Sequence, residues 1–324
     1  MTRPHRRQAW LLCGLLGLSG AAAAPTVYVE NVTDSAIIAL DGASGQVMGR
    51  VPIPGTPHGL ISDPQRQRLF VVGGETGTVS VIDAARLRVL RTLRVGAGVR
   101  GLAVSPDGRR LYVTRAGPRT LTVFRTDTWQ VERTVRLAQV PEHVLVGPGA
   151  AWLLVTSTSM AGSLPGARLS GSVTLLDGST LKVRNTWMLG GRPYRAALSP
   201  DGRRAALTEL DGERIDLLNT APFAVAASYP VGMVPEQLAF RTGQELWVSN
   251  LSGTAVTVLD VSSGNSVNVG TGDGPYGLGI SADGRDVFVS NMREGTVVRI
   301  DALTRRVTAR YRLGGELHAL VVGR

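Results

Sequence analysis

The sequence predicts an all-β fold, a seven-bladed β-propeller in which each blade is a sheet of four short strands. Its 324 residues include 40 glycines and 17 prolines, and only 5% are aromatic, which favours many short strands joined by turns. A strand pattern recurs about every 40 residues, a spacing typical of propeller blades. Because 43% of the residues are hydrophobic, the chain can bury a large core, and this excludes a disordered protein.

The repeated unit is clearest in residues 100–114, which return with small changes at 196–204 and at 276–291. Each copy contains an Asp-Gly pair, as in Ser-Pro-Asp-Gly at 105–108. These pairs predict tight turns between antiparallel strands, because proline fixes φ and glycine adopts a left-handed conformation. They lack the clustered acidic spacing of a calcium loop. The strand that opens this unit recurs seven times in a looser form, and the position just before it falls at residues 57, 99, 141, 193, 235, 275 and 316.

The strand that follows each turn carries a second motif, seen as Tyr28–Asn31, Leu111–Thr114 and Trp247–Asn250. In these motifs the chain resembles exported bacterial propellers of the YVTN-repeat family, over essentially all of residues 25–324. The resemblance implies four strands per blade, labelled A to D from the inside outwards. The strand before the turn is then A, the motif strand is B, and the arginine-rich strand is D.

This order implies a ring closed by both ends of the chain. The strand beginning at Thr26 is a B strand, and residues 317–322 form an A strand. We therefore expect 3+1 closure, in which the last blade takes three strands from the N-terminus and one from the C-terminus. Such pairing covers an otherwise exposed sheet edge.

Residues 1–24 are predicted to be a signal peptide, which leaves the propeller as the domain 25–324. Three arginines precede a short apolar run at 9–18, and small residues follow at 19–24, the order that export systems recognise. The alternatives are a buried helix and, through Arg6-Arg7, a twin-arginine signal. The sequence therefore predicts a periplasmic or secreted protein, without disulfide bonds because Cys13 is the only cysteine.

The first residues of the A strands are predicted to form two rings around a central funnel, which is a default place for a ligand. The candidate binding residues there are His58, Arg100, Glu142, His143, Tyr194, Arg195, Glu236, Gln237, Tyr276 and His318. Leu317 is expected in the first ring, and His318 in the second. The alternative is a funnel that contains only water.

The same funnel residues allow two kinds of chemistry to be considered. Three histidines suggest a metal site, but they come from blades that are too far apart, so no metal is predicted. Glutamates, histidines and arginines together could support a propeller-type hydrolase or lactonase, although no catalytic motif occurs in the sequence. No catalytic residue and no cofactor are therefore predicted.

One long connection, from Thr156 to Gly171, interrupts the regular spacing. It joins a B strand to a C strand and therefore lies on the face that also carries the D-to-A connections. Loops longer than the fold requires are often functional, so Met160, Leu164 and Arg168 are candidate binding residues. A tolerated insertion without a function is the alternative.

The chain has a formal net charge of +10, from 34 arginines and the single Lys182 against 25 acidic residues. Arginines are concentrated in the predicted D strands at 86–94, 133–136 and 305–312. This surface suggests binding of nucleic acid or another polyanion. The alternative is a polar rim that prevents aggregation through exposed sheet edges.

We therefore interpret the sequence as an exported propeller that acts as a non-enzymatic binding or interaction module through its funnel and D-to-A face. Its expected partner is a periplasmic or cell-surface protein, and a polyanion is the alternative partner. No stretch of 18 apolar residues occurs, so no membrane span is predicted. The protein is expected to be a monomer.

Overall fold

The computed structural model describes residues 24–63, 65–158 and 170–323. The signal segment up to residue 23 and the candidate loop residues Met160, Leu164 and Arg168 lie outside the described residues. Within the described ranges the chain forms 28 strands, β1 to β28 in chain order, and one short 3₁₀ helix at Pro148–Ala150. The strands form seven four-stranded antiparallel sheets, which confirms the predicted seven-bladed propeller.

The four strand types recur in every blade, and blades are numbered from the first complete one. The A strands are β4 (Pro57–Asp63), β8 (Val99–Val104), β12 (Val140–Val146), β16 (Pro193–Leu198), β20 (Pro235–Phe240), β24 (Pro275–Ile280) and β28 (Leu317–Val322). The B strands are β5 (Arg68–Gly73), β9 (Arg110–Arg115), β13 (Trp152–Thr158), β17 (Arg204–Glu209), β21 (Glu245–Asn250), β25 (Asp286–Asn291) and β1 (Thr26–Asn31).

The two outer strand types complete each sheet. The C strands are β6 (Thr78–Asp83), β10 (Thr120–Arg125), β14 (Gly171–Asp177), β18 (Arg214–Thr220), β22 (Ala255–Asp260), β26 (Thr296–Asp301) and β2 (Ala36–Asp41). The D strands are β7 (Arg88–Arg94), β11 (Val131–Arg136), β15 (Val183–Leu189), β19 (Phe223–Pro230), β23 (Ser266–Gly270), β27 (Arg306–Arg312) and β3 (Val47–Pro52).

Blade 7 closes the ring in the predicted 3+1 arrangement. Strand β28 pairs antiparallel with β1, and Leu320 lies opposite Val29 in the register. Leu317 and Leu320 are buried there against Phe288 of blade 6. The A strands of neighbouring blades contact one another around the ring, β28 with β4 and β24 among them. The A strands are therefore innermost, and both chain ends belong to one sheet.

The hydrophobic core lies between adjacent sheets because each sheet packs both of its faces. Phe70 and Val79 of blade 1, for example, pack with Leu111 and Val113 of blade 2. The central B and C strands are almost entirely buried, whereas the D strands are mostly exposed. This gradient explains why arginines are concentrated in the D strands, where charge remains in water.

The Asp-Gly turns define one face of the propeller. Gly108 has a φ of 64°, and the Asp107 side chain accepts hydrogen bonds from the Ser105 hydroxyl and the Arg109 amide. These A-to-B turns and the C-to-D turns lie on what we call the turn face. The D-to-A connections and the B-to-C connections of the described residues lie on the opposite D-to-A face. No helix of the described residues is long and apolar enough to cross a membrane.

Candidate functional site

A β-bulge at the same place in the A strands frees the funnel residues from regular pairing. In blade 6, Pro275 pairs with Asn291 and Leu278 pairs with Val289, so Tyr276 and Gly277 fall outside the ladder. A register shift at the same place occurs in the other six A strands, although in blade 3 only Glu142 falls outside the ladder and His143 pairs with Thr156. The bulge therefore gives each blade one first-ring residue and one second-ring residue.

Hydroxyl groups of the B strands hold these bulges in place. Thr156 accepts a hydrogen bond from the amide of His143 (3.2 Å) and donates one to the carbonyl of Tyr194 in the next blade (2.6 Å). Ser249 links Gln237 and Tyr276 in the same way, at 2.9 and 2.6 Å. Each hydroxyl thus positions two funnel residues and joins two neighbouring blades.

The register places blade 7 differently from the sequence-based prediction. Leu320 pairs with Val29 as Leu278 pairs with Val289, so His318 belongs to the first ring and Ala319 to the second. Leu317 is completely buried in the core at the closure and does not line the funnel. The prediction that Leu317 is a first-ring residue is therefore wrong by one position, because the register of the closing strand is set by its pairing with β1.

A glutamate replaces the usual hydroxyl at the closing junction. Glu30 is 1% exposed, and its carboxylate accepts hydrogen bonds from the amides of Gly59 (2.7 Å) and Ala319 (3.2 Å). Burial raises the pKa of Glu30 to about 7, although these hydrogen bonds oppose the shift. Sequence reasoning missed this residue, and its only signal was a glutamate at a position that carries serine or threonine in most blades.

The first ring forms the mouth of the funnel on the D-to-A face. Its members are His58, Arg100, Glu142, Tyr194, Glu236, Tyr276 and His318. Arg100 remains half exposed and lies 3.9 Å from the carboxylate of Glu142, which also accepts a hydrogen bond from Thr158 at 3.1 Å. The rings of Tyr276 and His318 stack with centroids 4.5 Å apart.

The second ring is asymmetric. Three consecutive blades contribute the large polar side chains of His143, Arg195 and Gln237, and the other four contribute only glycine or alanine. Small residues are required at some of these positions: a Cβ on Gly101 would lie 2.7 Å from the carbonyl oxygen of Glu142. The polar side chains therefore lie on one side of the channel and leave space on the other.

Arg195 is the central cation of the site. Its guanidinium lies 4.8 Å from the ring centroid of Tyr194, and its Nη2 is 3.5 Å from the Tyr194 hydroxyl. Its Nε is buried and has no hydrogen-bond partner among the residues that the structure describes. Burial alone would lower the pKa of Arg195. The nearby tyrosines and the carboxylates of Glu236 and Glu30 raise it by more than burial lowers it, so this residue is always charged.

Burial keeps His58 and His143 neutral. It lowers the pKa of His58 to about 4, helped by the positive charge of Arg195, and that of His143 to about 3 for the same two reasons. The Nε2 of His318 lies 2.9 Å from Oε1 of Glu316 instead of pointing to the other histidines. Among the described residues, no group of three or more His, Cys, Asp or Glu could hold a metal.

Glu236 is the other buried carboxyl group of the first ring. It is 7% exposed, and its Oε2 has no hydrogen-bond partner in the described part of the chain. Burial raises its pKa to about 7, and the positive charge of Arg195 limits the increase. The predicted funnel residues thus come together as one electrostatically coupled cluster around Arg195.

A cavity of about 190 Å³ lies directly below the second ring. Its polar lining consists of His143, Arg195 and Gln237, and its apolar lining consists of Leu60, Ile61, Ala196, Leu238, Leu278, Leu320 and Val321. The apolar residues follow the ring residues along the A strands, so the cavity extends towards the turn face. The channel therefore has a charged upper part and a hydrocarbon-lined lower part.

Comparison with protein families identifies the fold group. A family model described as a YNCE-like beta-propeller matches residues 59–324. The chain belongs to this family. A search of the curated proteins gives no match to the sequence of this YNCE-like propeller.

Three solved structures share the fold of this YNCE-like propeller. Kuenenia stuttgartiensis hydrazine synthase is 20% identical with a TM-score of 0.73, over 89% of this chain and 93% of that one. A functionally unknown protein from Desulfotomaculum acetoxidans is 14% identical, with a TM-score of 0.74, over 93% and 99%. The dihydro-heme d1 dehydrogenase NirN, in complex with DHE, is 19% identical with a TM-score of 0.66, over 91% of this chain and 65% of its own.

The geometry of this YNCE-like propeller indicates what its funnel can do chemically. It offers a permanent cation, neutral histidines and a glutamine amide that can donate hydrogen bonds to a ligand. Gln237 is held in position because its Oε1 accepts a hydrogen bond from the amide of Leu278 (3.0 Å). Such an arrangement suits the recognition of an anionic or hydrogen-bonding group.

Proposed function

We propose that this protein is an exported β-propeller that acts as a non-enzymatic binding module through its funnel mouth and D-to-A face. The observation that carries the proposal is the convergence of polar first-ring side chains at one opening. Arg100 is half exposed there, and Glu142 holds it only loosely at 3.9 Å, so its guanidinium can engage a partner. The expected partner is a periplasmic or cell-surface protein that binds a propeller monomer.

Export is supported by the order of charged, apolar and small residues in 1–24. The expected result is that a C-terminally tagged full-length chain is recovered in the periplasm or medium of a bacterial host. A variant in which residues 2–24 are deleted should stay in the cytoplasm. Recovery of the full-length chain in the cytoplasm would contradict the proposed location.

The binding role is tested by pull-down from a bacterial envelope extract with the mature chain, residues 25–324. A protein should be retained at moderate salt, and the double variant Arg100→Ser with Tyr194→Ala should lose it. Arg136→Ser, an exposed arginine on the rim, is the matched control and should retain it. Equal retention by all three proteins would contradict a site at the funnel mouth.

A second candidate function is polyanion binding through the outer rim. Arg88, Arg91 and Arg94 of β7 are all exposed, and no carboxylate of the described residues lies within 4.0 Å of their guanidinium groups. Replacing all three with glutamine should weaken binding of nucleic acid in a mobility-shift assay. The slope of log K against the logarithm of the salt concentration should also become shallower by about 2–3. An unchanged slope would exclude polyanion binding by these three arginines.

The hydrolase alternative gives a different result. If the funnel hydrolysed a lactone, Glu236→Gln would abolish turnover of lactone substrates while the melting temperature stayed near that of the wild type. The binding-module proposal instead predicts no turnover by either protein.

A further inference from the structure

The lining of the cavity below the second ring includes the cation Arg195. No carboxylate oxygen of the described residues lies within 4.0 Å of the Arg195 guanidinium, and its buried Nε lacks a partner. Taking a guanidinium out of water without a counter-ion is unfavourable, and its planar donors match a carboxylate in two parallel hydrogen bonds. This geometry favours an anion that enters from the channel.

Neighbouring groups can complete the recognition of such an anion. His143 belongs to the same ring and is kept neutral by burial, and its buried Nδ1 has no partner in the described part of the chain. Gln237 uses its Oε1 to bind the amide of Leu278, which leaves its NH₂ group to donate to a ligand. Three donors from consecutive blades thus face the side of the channel that glycines and an alanine leave open.

The buried carboxyl groups near Arg195 do not serve as its counter-ion. Glu30 uses both oxygens to accept backbone amides of Gly59 and Ala319, and these hydrogen bonds fix it at the closing junction. Glu236 lies in the first ring, above Arg195 on the side of the D-to-A face. Neither group forms an ion pair with Arg195, so the guanidinium remains available on its lower side.

The size and lining of the cavity define the rest of the ligand. Its volume of about 190 Å³ is below the range of roughly 300–1,000 Å³ found for drug-sized ligands. Below the polar ring its walls are hydrocarbon, with Ile61, Leu278 and Val321 among them. An inorganic ion would leave this part unfilled, and a second charge would be placed against apolar side chains.

We propose that the channel binds a small monocarboxylate with an apolar body. The carboxylate contacts Arg195, Gln237 and His143, and the hydrocarbon part points towards the turn face, through which the ligand enters. This inference rests on the proposed binding function but adds a second, smaller ligand on the face opposite to the one assigned to the protein partner.

The test is calorimetric titration of the mature chain with four probes: benzoate, butyrate, benzamide and inorganic phosphate. Benzoate and butyrate should bind, and the neutral benzamide should bind roughly tenfold more weakly because it lacks the charge. Phosphate should bind no better than benzamide. Stronger binding of phosphate than of benzoate would show a simple anion site and overturn the proposal, as would the absence of benzoate binding by the wild type at millimolar concentration.

Two variants test the placement of the ligand. Arg195→Gln should weaken benzoate binding by roughly tenfold or more, and Ile61→Trp should block it by filling the apolar part while leaving Arg195 intact. The rim variant Arg136→Gln is the control and should bind as the wild type does. Melting temperatures confirm that each variant is folded. Unchanged affinity in a folded Arg195 or Ile61 variant would overturn the proposed site.

Failure of this inference is distinguishable from failure of the proposed function. Loss of protein capture in the Arg100 and Tyr194 double variant concerns the D-to-A mouth alone. If the double variant loses the captured protein but benzoate does not bind the wild type, the proposed binding function is supported and the carboxylate site is excluded. If benzoate binds while no partner is captured, the reverse conclusion follows.

Discussion

Some single positions in this chain depart from the repeated motif, and the last residue of the B strands is one of them. Asn250 and Asn291 end their B strands and donate amide hydrogen bonds to threonine hydroxyls at 2.9 and 3.0 Å. Glu209 takes the equivalent position in blade 4. It is completely buried, and neither carboxyl oxygen has a partner in the described residues. A neutral carboxyl group is the form of Glu209 that can replace the amide as a donor.

Glu209→Gln should therefore stabilise the protein at alkaline pH and leave it nearly unchanged in acid. Burial, and next the negative charge of Asp216, raise the pKa of Glu209 to about 8. The carboxyl group of the unfolded chain ionises near pH 4.5, so the stability that neutral Glu209 contributes is lost as the pH rises from about 4.5 to 8, and glutamine has no such loss. Urea unfolding at pH 9 should show a gain of a few kcal/mol, because each unit of pKa shift corresponds to about 1.4 kcal/mol. A gain of the same size at pH 5 would contradict this explanation.

The funnel residues show how far sequence reasoning reaches at this scale. The candidates of blades 1 to 6 were predictable because their bulges lie at a constant place in the recurring A-strand pattern. Glu30 and Glu209 were not, because they lie in B strands, where the pattern reads as core. Leu317 was misplaced by one position because register in a closing strand is set by pairing with β1, a contact between residues about 290 apart in sequence. The sequence predicts that these two strands pair, but only the structure shows their register.

The element that most affects stability is the closing strand β28. It buries Leu317, Ala319 and Leu320 to 2% exposure or less and supplies one of the two amides that hold Glu30. Its phase could be predicted from sequence because the first strand reads as a B strand and the last as an A strand. Without β28, the edge of β1 and the faces of two neighbouring blades would be open to water.

Deletion of residues 317–324 should therefore open the ring. Loss of these three buried side chains corresponds to about 5 kcal/mol of hydrophobic stabilisation, so the melting temperature should fall by about 10 °C or more. Differential scanning calorimetry of the mature and truncated chains measures the change. A synthetic peptide of residues 317–324, added in excess, should recover part of the loss. A truncated chain that melts like the mature one would contradict the observed closure.

On the scale of the whole molecule, the funnel is a polar cluster enclosed by seven apolar interfaces. Its contribution to the free energy of unfolding depends on pH. Burial raises the pKa of Glu30 and Glu236 to about 7 and that of Glu209 to about 8, from an ordinary value of 4.5. It lowers the pKa of His58 to about 4 and that of His143 to about 3, from 6.5. The native state therefore favours neutral side chains in both groups.

These shifts predict a stability maximum in mild acid. The carboxyl groups stabilise the fold fully below pH 4.5, and this contribution is lost as the pH rises towards 8, because the unfolded chain ionises first. The histidines act in the opposite sense and lose their contribution as the pH falls from 6.5 to about 3. The two effects oppose each other between pH 4.5 and 6.5, whereas above 6.5 only the carboxyl effect remains.

The free energy of unfolding should consequently decrease between pH 6.5 and 8, where most proteins change little. Urea titrations at half-unit steps would measure the slope, and the double variant Glu209→Gln with Glu236→Gln should have a shallower one, because two of the three protons no longer dissociate. Replacing the exposed Glu132, whose pKa is lowered by Arg110, with glutamine should leave the slope in this range unchanged. A wild-type profile that rises from pH 6.5 to 8 would mean that the buried carboxyl groups are already ionised in the native funnel.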